Sequence, residues 1–210
     1  IPEQKLLRQT AFGILRSGHV HLTRIGSSLE ESITLKKTCK RLSYHLGKAD
    51  FYSRLNESHL AANRYCLSQS KYLIIDGSDV IKAFAEKMEG LGRVHDGSTH
   101  DIANGYWQLN IVGISPKHGS TVLASSRLYS YETGLEKAEI SENAVILEEL
   151  ARIDRHVAGK QTIVLDRGGD RRVLIEAFLE AKRPFIIRQR GDRHVSHGNR
   201  RKRIDTIGKK

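Results

Sequence analysis

Two apolar runs in this sequence each end in an aspartate that is followed by a glycine-containing turn. They are Tyr72-Leu-Ile-Ile-Asp76-Gly77 and Thr162-Ile-Val-Leu-Asp166-Arg-Gly168-Gly169. Consecutive apolar side chains predict strands that are covered on both faces, as in parallel sheets. Open α/β sheets bind their ligands outside the carboxyl ends of such strands. The sequence therefore predicts that Asp76 and Asp166 lie at the tips of two buried strands, on one edge of a sheet.

The chain is strongly basic. Its 210 residues include 35 Lys and Arg against 24 Asp and Glu, so the formal net charge is +11 at pH 7. This excess favours an anionic partner, and nucleic acid is the commonest polyanion. Two carboxylates in such a chain indicate a divalent cation held against a nucleic acid. The alternative is a basic protein whose charged faces are only solvated.

Cysteine usage and hydropathy exclude several other classes of protein. Cys39 and Cys66 form no Cys-x-x-Cys pair and lie away from His at zinc-finger spacing, which argues against a disulfide scaffold and a zinc site. No apolar stretch approaches the roughly 20 residues that span a bilayer, and the N-terminus lacks a signal-peptide pattern. We expect a cytoplasmic protein without membrane contact. Because the sequence starts at Ile1 and stops at Lys210 in mid-pattern, we also expect it to belong to a longer protein.

Residues 1–70 have helical periodicity. Apolar positions predict a first helix, Ser28-x-x-Glu31 predicts the capping box of a second helix that runs through Leu46, and a third is predicted from about 51 to 67. This region is predicted to be a small DNA-binding domain, because clustered Lys and Arg release counterions when they contact phosphates. A solvated helical face is the alternative. The basic positions that we assign to DNA contact here are Lys36, Lys37, Lys40 and Arg41.

From residue 71 the pattern changes to three strands followed by alternating helices and strands. The glycine-rich stretch 89–98 is predicted to be a loop, and Ser141 is predicted to cap a helix. The order β, β, β, α, β, α, β predicts an α/β fold, namely a ribonuclease H-like mixed sheet flanked by helices and preceded by the small helical domain. In such a sheet the first strand is central and the fourth lies beside it. Asp76 and Asp166 would therefore meet.

Two adjacent carboxylates repel each other unless a cation lies between them. Oxygen ligands favour Mg²⁺ or Mn²⁺, and a pair of such cations can activate a water or a 3′-hydroxyl for attack on a phosphodiester. Each aspartate alone could instead be a turn former. Three other acids are expected to have structural roles: Asp79 as the N-cap of a helix through Phe84, Asp96 in a loop, and Asp170 at the start of a helix. For Asp79 the alternative is a supporting position next to the cation ligands.

An ordered set of local motifs resembles the DDE transposases of bacterial insertion sequences, in the group where a β-rich insertion precedes the third acid. The resemblance spans about residues 70 to 195. Its pieces are Tyr72-Leu-Ile-Ile-Asp76-Gly-Ser-Asp79, Lys87-Met-Glu-Gly90-Leu-Gly-Arg-Val-His95-Asp96-Gly97-Ser98, Gly105-Tyr106, Val164-Leu-Asp166-Arg167-Gly168-Gly-Asp170 and Phe185-Ile-Ile-Arg188-Gln-Arg190.

The resemblance implies roles for particular residues. Asp76 and Asp166 match the first two catalytic aspartates, which would ligate Mg²⁺ or Mn²⁺ for strand nicking and transfer by in-line attack at phosphorus. Residues 1–70 would grip double-stranded DNA at the transposon end, in a bacterial, nucleoid-associated protein. Arg188 and Arg190 would contact phosphate, and a homodimer in a synaptic complex is an expectation of the family.

The sequence departs from the family at the third acid. That acid is a Glu on a later helix, within a Tyr-x-x-Arg-x-x-x-Glu-x-x-x-x-x-x-Lys pattern, and the 210 residues contain no such pattern. The catalytic core at 71–195 is therefore expected to lack the C-terminal part of the fold and to be inactive alone. Residues 196–210 would be a basic tail or the start of the missing insertion. A non-catalytic DNA-binding remnant that inhibits transposition, and a nuclease without target joining, stay open as alternatives.

Overall fold

The computed structural model describes residues 2–48, 51–97, 99, 101–115, 119–131, 141–189, 191, 193–197 and 200–207. The chain divides into two compact units, Ile1–Glu57 and Ser58–Lys210. Helix α4, Phe51–Ala62, runs through this division. Its residue Leu60, together with Leu67, belongs to the hydrophobic core of the second unit. By contacts, residues 58–70 therefore group with the sheet rather than with the helices that precede them.

The first unit contains the helices α1 (Pro2–Ser17), α2 (Leu22–Ser28) and α3 (Leu35–Leu46). Leu6, Ile25 and Leu42, one from each helix, form its buried core. Each is at most 1% exposed. Three amphipathic helices thus close around one small apolar centre.

The predicted capping box at Ser28 and Glu31 is wrong. Ser28 is the last residue of α2, and its hydroxyl donates to the Arg24 carbonyl oxygen (2.9 Å). The next helix begins only after Thr34. Glu31 accepts two hydrogen bonds of 2.7 Å from Arg41 instead of capping a helix. A long-range ion pair has replaced the local contact that the spacing predicted.

The second unit is a mixed α/β structure built on a six-stranded sheet. Its elements in chain order are α5 (Arg64–Ser68), β1 (Tyr72–Ile81), β2 (Gly92–His95), β3 (Ile102–Ser115), β4 (Ser120–Tyr129), α6 (Glu142–Asp154), β5 (Thr162–Leu165), a 3₁₀ turn (Arg167–Gly169), α7 (Arg172–Glu180), β6 (Phe185–Ile187), β7 (His194–His197), β8 (Arg200–Arg203) and α8 (Ile204–Ile207).

The sheet has the order β2-β3-β1-β5-β6, and β4 also pairs with β3. Strand β1 is antiparallel to β3 and parallel to β5, and β5 is parallel to β6. The predicted fold class is therefore confirmed: a mixed sheet is flanked by helices and preceded by a helical region. The prediction that the first strand is central, with the strand of Asp166 beside it, is also confirmed.

The buried core of this unit lies between the sheet and its helices. Leu73, Ile75, Leu109, Ile111, Ile163 and Leu165 come from the strands, and Val145, Ile146, Leu150, Ile153, Leu174 and Phe178 come from α6 and α7. Successive strand residues point to opposite faces, so the alternation of buried and accessible positions along β1 and β5 shows which side chains face the helices. Asp76 and Asp166 fall out of phase with the buried set.

Three predictions around the sheet need correction. Part of the glycine-rich stretch forms β2, which pairs with β3. Asp79 lies inside β1 and caps no helix, because the ladder between β1 and β3 continues to Ile81. Asp170 precedes the N-cap residue Arg171 of α7 and is itself buried. The β-branched Val80 and Ile81 favour strand over helix after Asp79, and this preference explains the second error.

Residues 196–210 were expected to be a basic tail or the start of an insertion. Their first part, together with His194 and Val195, forms a two-stranded antiparallel hairpin of β7 (His194–His197) and β8 (Arg200–Arg203) in its described residues. No helix in the described portion of the chain is long and apolar enough to cross a lipid bilayer.

Candidate functional site

Asp76 and Asp166 are brought together by the parallel ladder of β1 and β5. The last paired residues of that ladder are Ile75 and Leu165. The two aspartates follow them directly, so they occupy equivalent positions on neighbouring strands. Asp76 is out of phase with the buried Ile75 along β1, and Asp166 directly follows the buried Leu165 at the end of β5. Both aspartates are exposed, as a site that receives a polymeric ligand requires.

The two aspartates are held by different kinds of backbone. Asp166 follows the end of β5 as predicted, and its Oδ1 accepts a hydrogen bond from the Gly168 amide at 2.7 Å. Asp76 was expected at a strand tip, but β1 continues through it, and it lies opposite Asn110 of β3. The ladder of β1 with β3, which continues past Asp76 to Ile81, fixes the Asp76 backbone more firmly than a loop would. The turn-forming role of Asp166 leaves its second carboxylate oxygen for a ligand.

A cleft of about 130 Å³ opens at this edge of the sheet. Its lining residues are Ile75, Asp76, Gly77, Leu109, Glu142, Ile146, Leu165, Asp166, Gly168 and Gly169. The turn after Asp166 needs a glycine at position 169, since a Cβ there would lie 2.4 Å from the Leu165 Cβ. Polar groups at the mouth and apolar groups at the base are typical of a ligand cleft.

Glu142 is a third carboxylate in the cleft, and the sequence reasoning missed it. The predicted cap at Ser141 is confirmed, since its hydroxyl accepts from the Ala144 amide at 3.1 Å, and this cap places Glu142 in the first turn of α6. A carboxylate beside a confirmed helix start was the signal that could have found it. Glu142 forms an ion pair of 2.5 Å with Arg171, so its charge is already matched by a guanidinium.

Two tyrosines near the cleft, Tyr129 and Tyr131, have raised pKa values. Burial, and after it the Glu142 carboxylate, raises the pKa of both Tyr129 and Tyr131. Their rings meet edge to face with centroids 5.9 Å apart. Both phenols therefore stay protonated at neutral pH and can act there as hydrogen-bond donors.

The donor set of the cleft is compatible with a hard divalent cation. Asp76 and Asp166 offer carboxylate oxygens, which Mg²⁺ and Mn²⁺ prefer. Within the described ranges, however, no group of three His, Cys, Asp or Glu side chains has a metal-binding arrangement. Because Arg171 binds Glu142, the described chain contributes two carboxylates to such a site.

Arg188 continues the same edge of the sheet. It follows β6, and its amide donates to the Leu165 carbonyl oxygen at 3.2 Å. Its side chain is exposed. Arg188 therefore lies one strand beyond Asp166, at the same edge of the sheet. Arg190, which we also assigned to DNA contact, falls outside the described residues.

The basic positions of the first unit lie on α3. Lys36, Lys37 and Lys40 are exposed. Arg41 is partly buried, and it binds both carboxylate oxygens of Glu31 and the side-chain oxygen of Gln9 (2.7 Å). The structure thus separates three lysines that face solvent from an arginine that already has internal partners.

Glu31, in the segment between α2 and α3, connects α1 with α3. Besides Arg41, it accepts hydrogen bonds from Gln9 of α1 (2.8 Å) and from the buried Thr38 hydroxyl of α3 (2.9 Å). Burial raises the pKa of a carboxyl, but the hydrogen bonds from Arg41, Thr38 and Gln9 outweigh it and lower the pKa of Glu31. The ionised form of Glu31 is therefore the one that holds α3 in place.

Comparison with known proteins gives structural neighbours only. No protein-family model matches the chain, and no curated protein matches it in sequence. Three similar solved structures are the Mos1 strand transfer complex (11% identity, TM-score 0.31), the Mos1 mariner paired end complex with Mn (12%, 0.31) and the Mos1 transposase paired-end complex with left transposon end (10%, 0.30). They match 86%, 87% and 86% of this chain, which spans 56%, 56% and 57% of theirs. At this level of similarity no residue role is transferred.

Proposed function

We propose that this chain is the N-terminal part of a DNA transposase of the DDE type, an enzyme that cleaves and joins DNA strands with the help of a divalent cation. The observation that supports this most is the juxtaposition of Asp76 and Asp166 beyond the paired residues Ile75 and Leu165. Two carboxylates at equivalent positions on neighbouring parallel strands supply the oxygen ligands that Mg²⁺ and Mn²⁺ prefer. The sequence resemblance gives the same two residues the same role.

In this proposal the side chains at the sheet edge have different roles. Asp76 and Asp166 would hold Mg²⁺ or Mn²⁺, which when bound polarises a phosphodiester and lowers the pKa of an attacking hydroxyl or water. Arg188 would orient the phosphate from the adjacent strand. Arg171 forms an ion pair with Glu142, so this carboxylate is not assigned to the cation. A third acid, which the resemblance places on a helix beyond a β-rich insertion, would complete the site.

The partner in this proposal is double-stranded DNA at the ends of a bacterial insertion sequence, with the protein associated with the nucleoid. Lys36, Lys37 and Lys40 of α3 would make the phosphate contacts of the first unit, where each contact releases counterions. Arg41 would act through its bonds to Glu31, by fixing the orientation of α3. A synaptic homodimer is part of the same proposal.

A second candidate function is a DNA-binding protein without catalysis, such as an inhibitor that occupies transposon ends. It is favoured by one observation, the pairing of Glu142 with Arg171, which leaves two carboxylates for a cation among the described residues. The two candidates predict the same DNA affinity. They differ in cleavage, which only the transposase performs and which the loss of Asp76 or Asp166 would abolish.

Cleavage of labelled transposon ends by the complete protein separates these candidates. We expect Asp76→Ala and Asp166→Ala each to abolish Mg²⁺-dependent cleavage in a gel assay, while end binding measured by fluorescence anisotropy stays within about twofold of the wild type. Phosphate contacts and cation ligands are different residues, so binding and cleavage separate. Asp101→Ala, an exposed acid away from the cleft, is the matched control. Cleavage that survives the loss of either aspartate would refute the assignment.

A further inference from the structure

The hairpin of β7 and β8 is the most basic exposed element of the second unit. Residues 194–203 contain four consecutive cationic residues, Arg200-Arg-Lys-Arg203, and no acidic residue. All four are exposed. We refer to β7 and β8 together as the basic ribbon.

The basic ribbon is attached to the carboxylate edge of the sheet. Arg193, which directly precedes β7, binds Asp170 through an ion pair to Oδ1 and a 3.0 Å hydrogen bond to the main-chain oxygen. The Asp170 side chain is completely buried. The Ile204 amide donates a hydrogen bond to the Arg193 carbonyl oxygen (2.8 Å). The residue that follows β8 is therefore bonded to the residue that precedes β7. Asp170 is only four positions after Asp166.

This anchor is stronger than a surface ion pair. A carboxylate without exposure exchanges little with water, so its pairing with a guanidinium is screened far less than that of two exposed groups. The Asp170 side chain is fully buried and that of Arg193 is 35% exposed, so removing the guanidinium from this carboxylate costs more than losing an exposed pair, which contributes about 0–1 kcal/mol. The anchor therefore restricts where the basic ribbon can lie relative to Asp166.

The charges of the ribbon are spaced for a phosphate backbone. Arg200 and Lys202 lie two positions apart on β8, so their side chains share one face at a separation of about 6.8 Å. That distance is about twice the 3.4 Å rise between phosphates along one DNA strand. The ion pairs among the described residues do not include Arg200, Arg201 or Lys202.

We propose that the basic ribbon is a nucleic-acid backbone clamp, which the Asp170–Arg193 pair holds beside the cleft of Asp76 and Asp166. It binds duplex DNA through phosphates and without sequence preference, on the flank of the bond that the cleft would cleave. The location of the bond rests on the proposed function, whereas the binding itself does not. An anionic membrane is disfavoured as the partner because β8 has no apolar residue and β7 has one exposed apolar side chain, Val195, which is too little to insert among lipids.

The salt dependence of DNA binding by the 210-residue chain tests the clamp. Arg200→Gln together with Lys202→Gln removes two phosphate contacts, so the slope of log K against log[salt] becomes shallower by about 1.8. If both proteins bind equally at 1 M salt, this is a loss of about 60-fold at 0.1 M. Fluorescence anisotropy with a labelled duplex of arbitrary sequence gives both quantities.

The matched control removes the same charge from the other end of the sheet. Lys71 and Lys160 are exposed and precede β1 and β5, at the opposite ends of those strands from the aspartates. Lys71→Gln with Lys160→Gln is expected to leave the slope within about 0.5 of the wild-type value, compared with 1.8 for the ribbon variant. Equal slopes for the two double variants would overturn the proposal, since net charge alone would then explain the binding.

A nitroxide label at Ser196 identifies the partner directly. In Ser196→Cys, with Cys39 and Cys66 replaced by Ala, the label is expected to lose mobility on addition of the duplex and to keep it with vesicles that contain phosphatidylserine. Immobilisation by vesicles but not by DNA would overturn the clamp in favour of a membrane surface. If instead the cation site is wrong, Asp76→Asn leaves Mn²⁺ binding unchanged while the ribbon variants still lose DNA affinity.

Discussion

Glu31 is predicted to be the main polar determinant of stability in the helical unit. Its carboxylate accepts hydrogen bonds from Gln9, Thr38 and Arg41, so Glu31→Ala removes the contacts of α1 and α3 at once. Thr38 is 1% exposed, and losing its acceptor costs about 1–3 kcal/mol. The partly exposed pair with Arg41 adds about 1 kcal/mol. We expect a total of about 2–4 kcal/mol.

Urea unfolding, monitored by hydrogen exchange at the Ile25 and Leu42 amides, measures this loss of unfolding free energy in the first unit alone. Glu30→Ala is the matched control, because Glu30 lies one residue away and its ion pair with Arg16 is exposed on both sides (67% and 47%). Such a pair contributes at most about 1 kcal/mol. The reasoning is refuted if the two variants lose the same stability.

The pH dependence provides a second readout of the same residue. Hydrogen bonds lower the pKa of Glu31 in the folded unit, so its stabilisation is complete above the unfolded pKa of about 4.3 and is lost as pH falls through the folded value. Glu31→Gln cannot titrate. Its free energy of unfolding should therefore fall less steeply than that of the wild type between about pH 5 and pH 3. Parallel pH profiles would contradict this account.

Two further substitutions test the second unit. Glu149→Gln removes the carboxylate that pairs with Arg152, whose side chain is 9% exposed, and should cost about 3–5 kcal/mol in urea unfolding, whereas Glu148→Gln at a 62% exposed position should cost under about 1. Similar losses of stability in Glu149→Gln and Glu148→Gln would show that the buried ion pair contributes no more than the exposed one. Gly169→Ala places a Cβ 2.4 Å from that of Leu165 and should destabilise by about 1–3 kcal/mol while weakening Mn²⁺ binding. A variant with unchanged Mn²⁺ affinity would show that this turn does not shape the site.

The sheet and its pair of aspartates could be predicted because they depend on local patterns. Apolar runs before Asp76 and Asp166 indicate buried strands, and the alternation of strands and helices then fixes which strands are neighbours. Ser141 marked the start of α6 by the same kind of local signal. These features need no knowledge of distant side chains.

The errors fall where distant contacts decide. Glu31 fits a capping box by spacing, but Arg41 ten residues later binds it. Asp79 fits a helix cap, but the partner strand extends the ladder past it. Asp170 resembles a helix start, yet Arg193 binds it in the interior. Glu142 was missed because only the fold brings α6 to the cleft. A local motif is ambiguous when a long-range ion pair or ladder can use the same residue.

Mn²⁺ binding to the 210-residue chain tests the cation site most directly. A carboxylate and a divalent cation about 4 Å apart attract by about 2 kcal/mol in water, which corresponds to about 30-fold in affinity. Titration followed by electron paramagnetic resonance should show a site that Asp76→Asn and Asp166→Asn each weaken by about this factor. Asp79→Asn, three residues further along β1 and on the other face of the strand, should leave it unchanged. Equal Mn²⁺ affinity in all four proteins would contradict the central claim that Asp76 and Asp166 form one site.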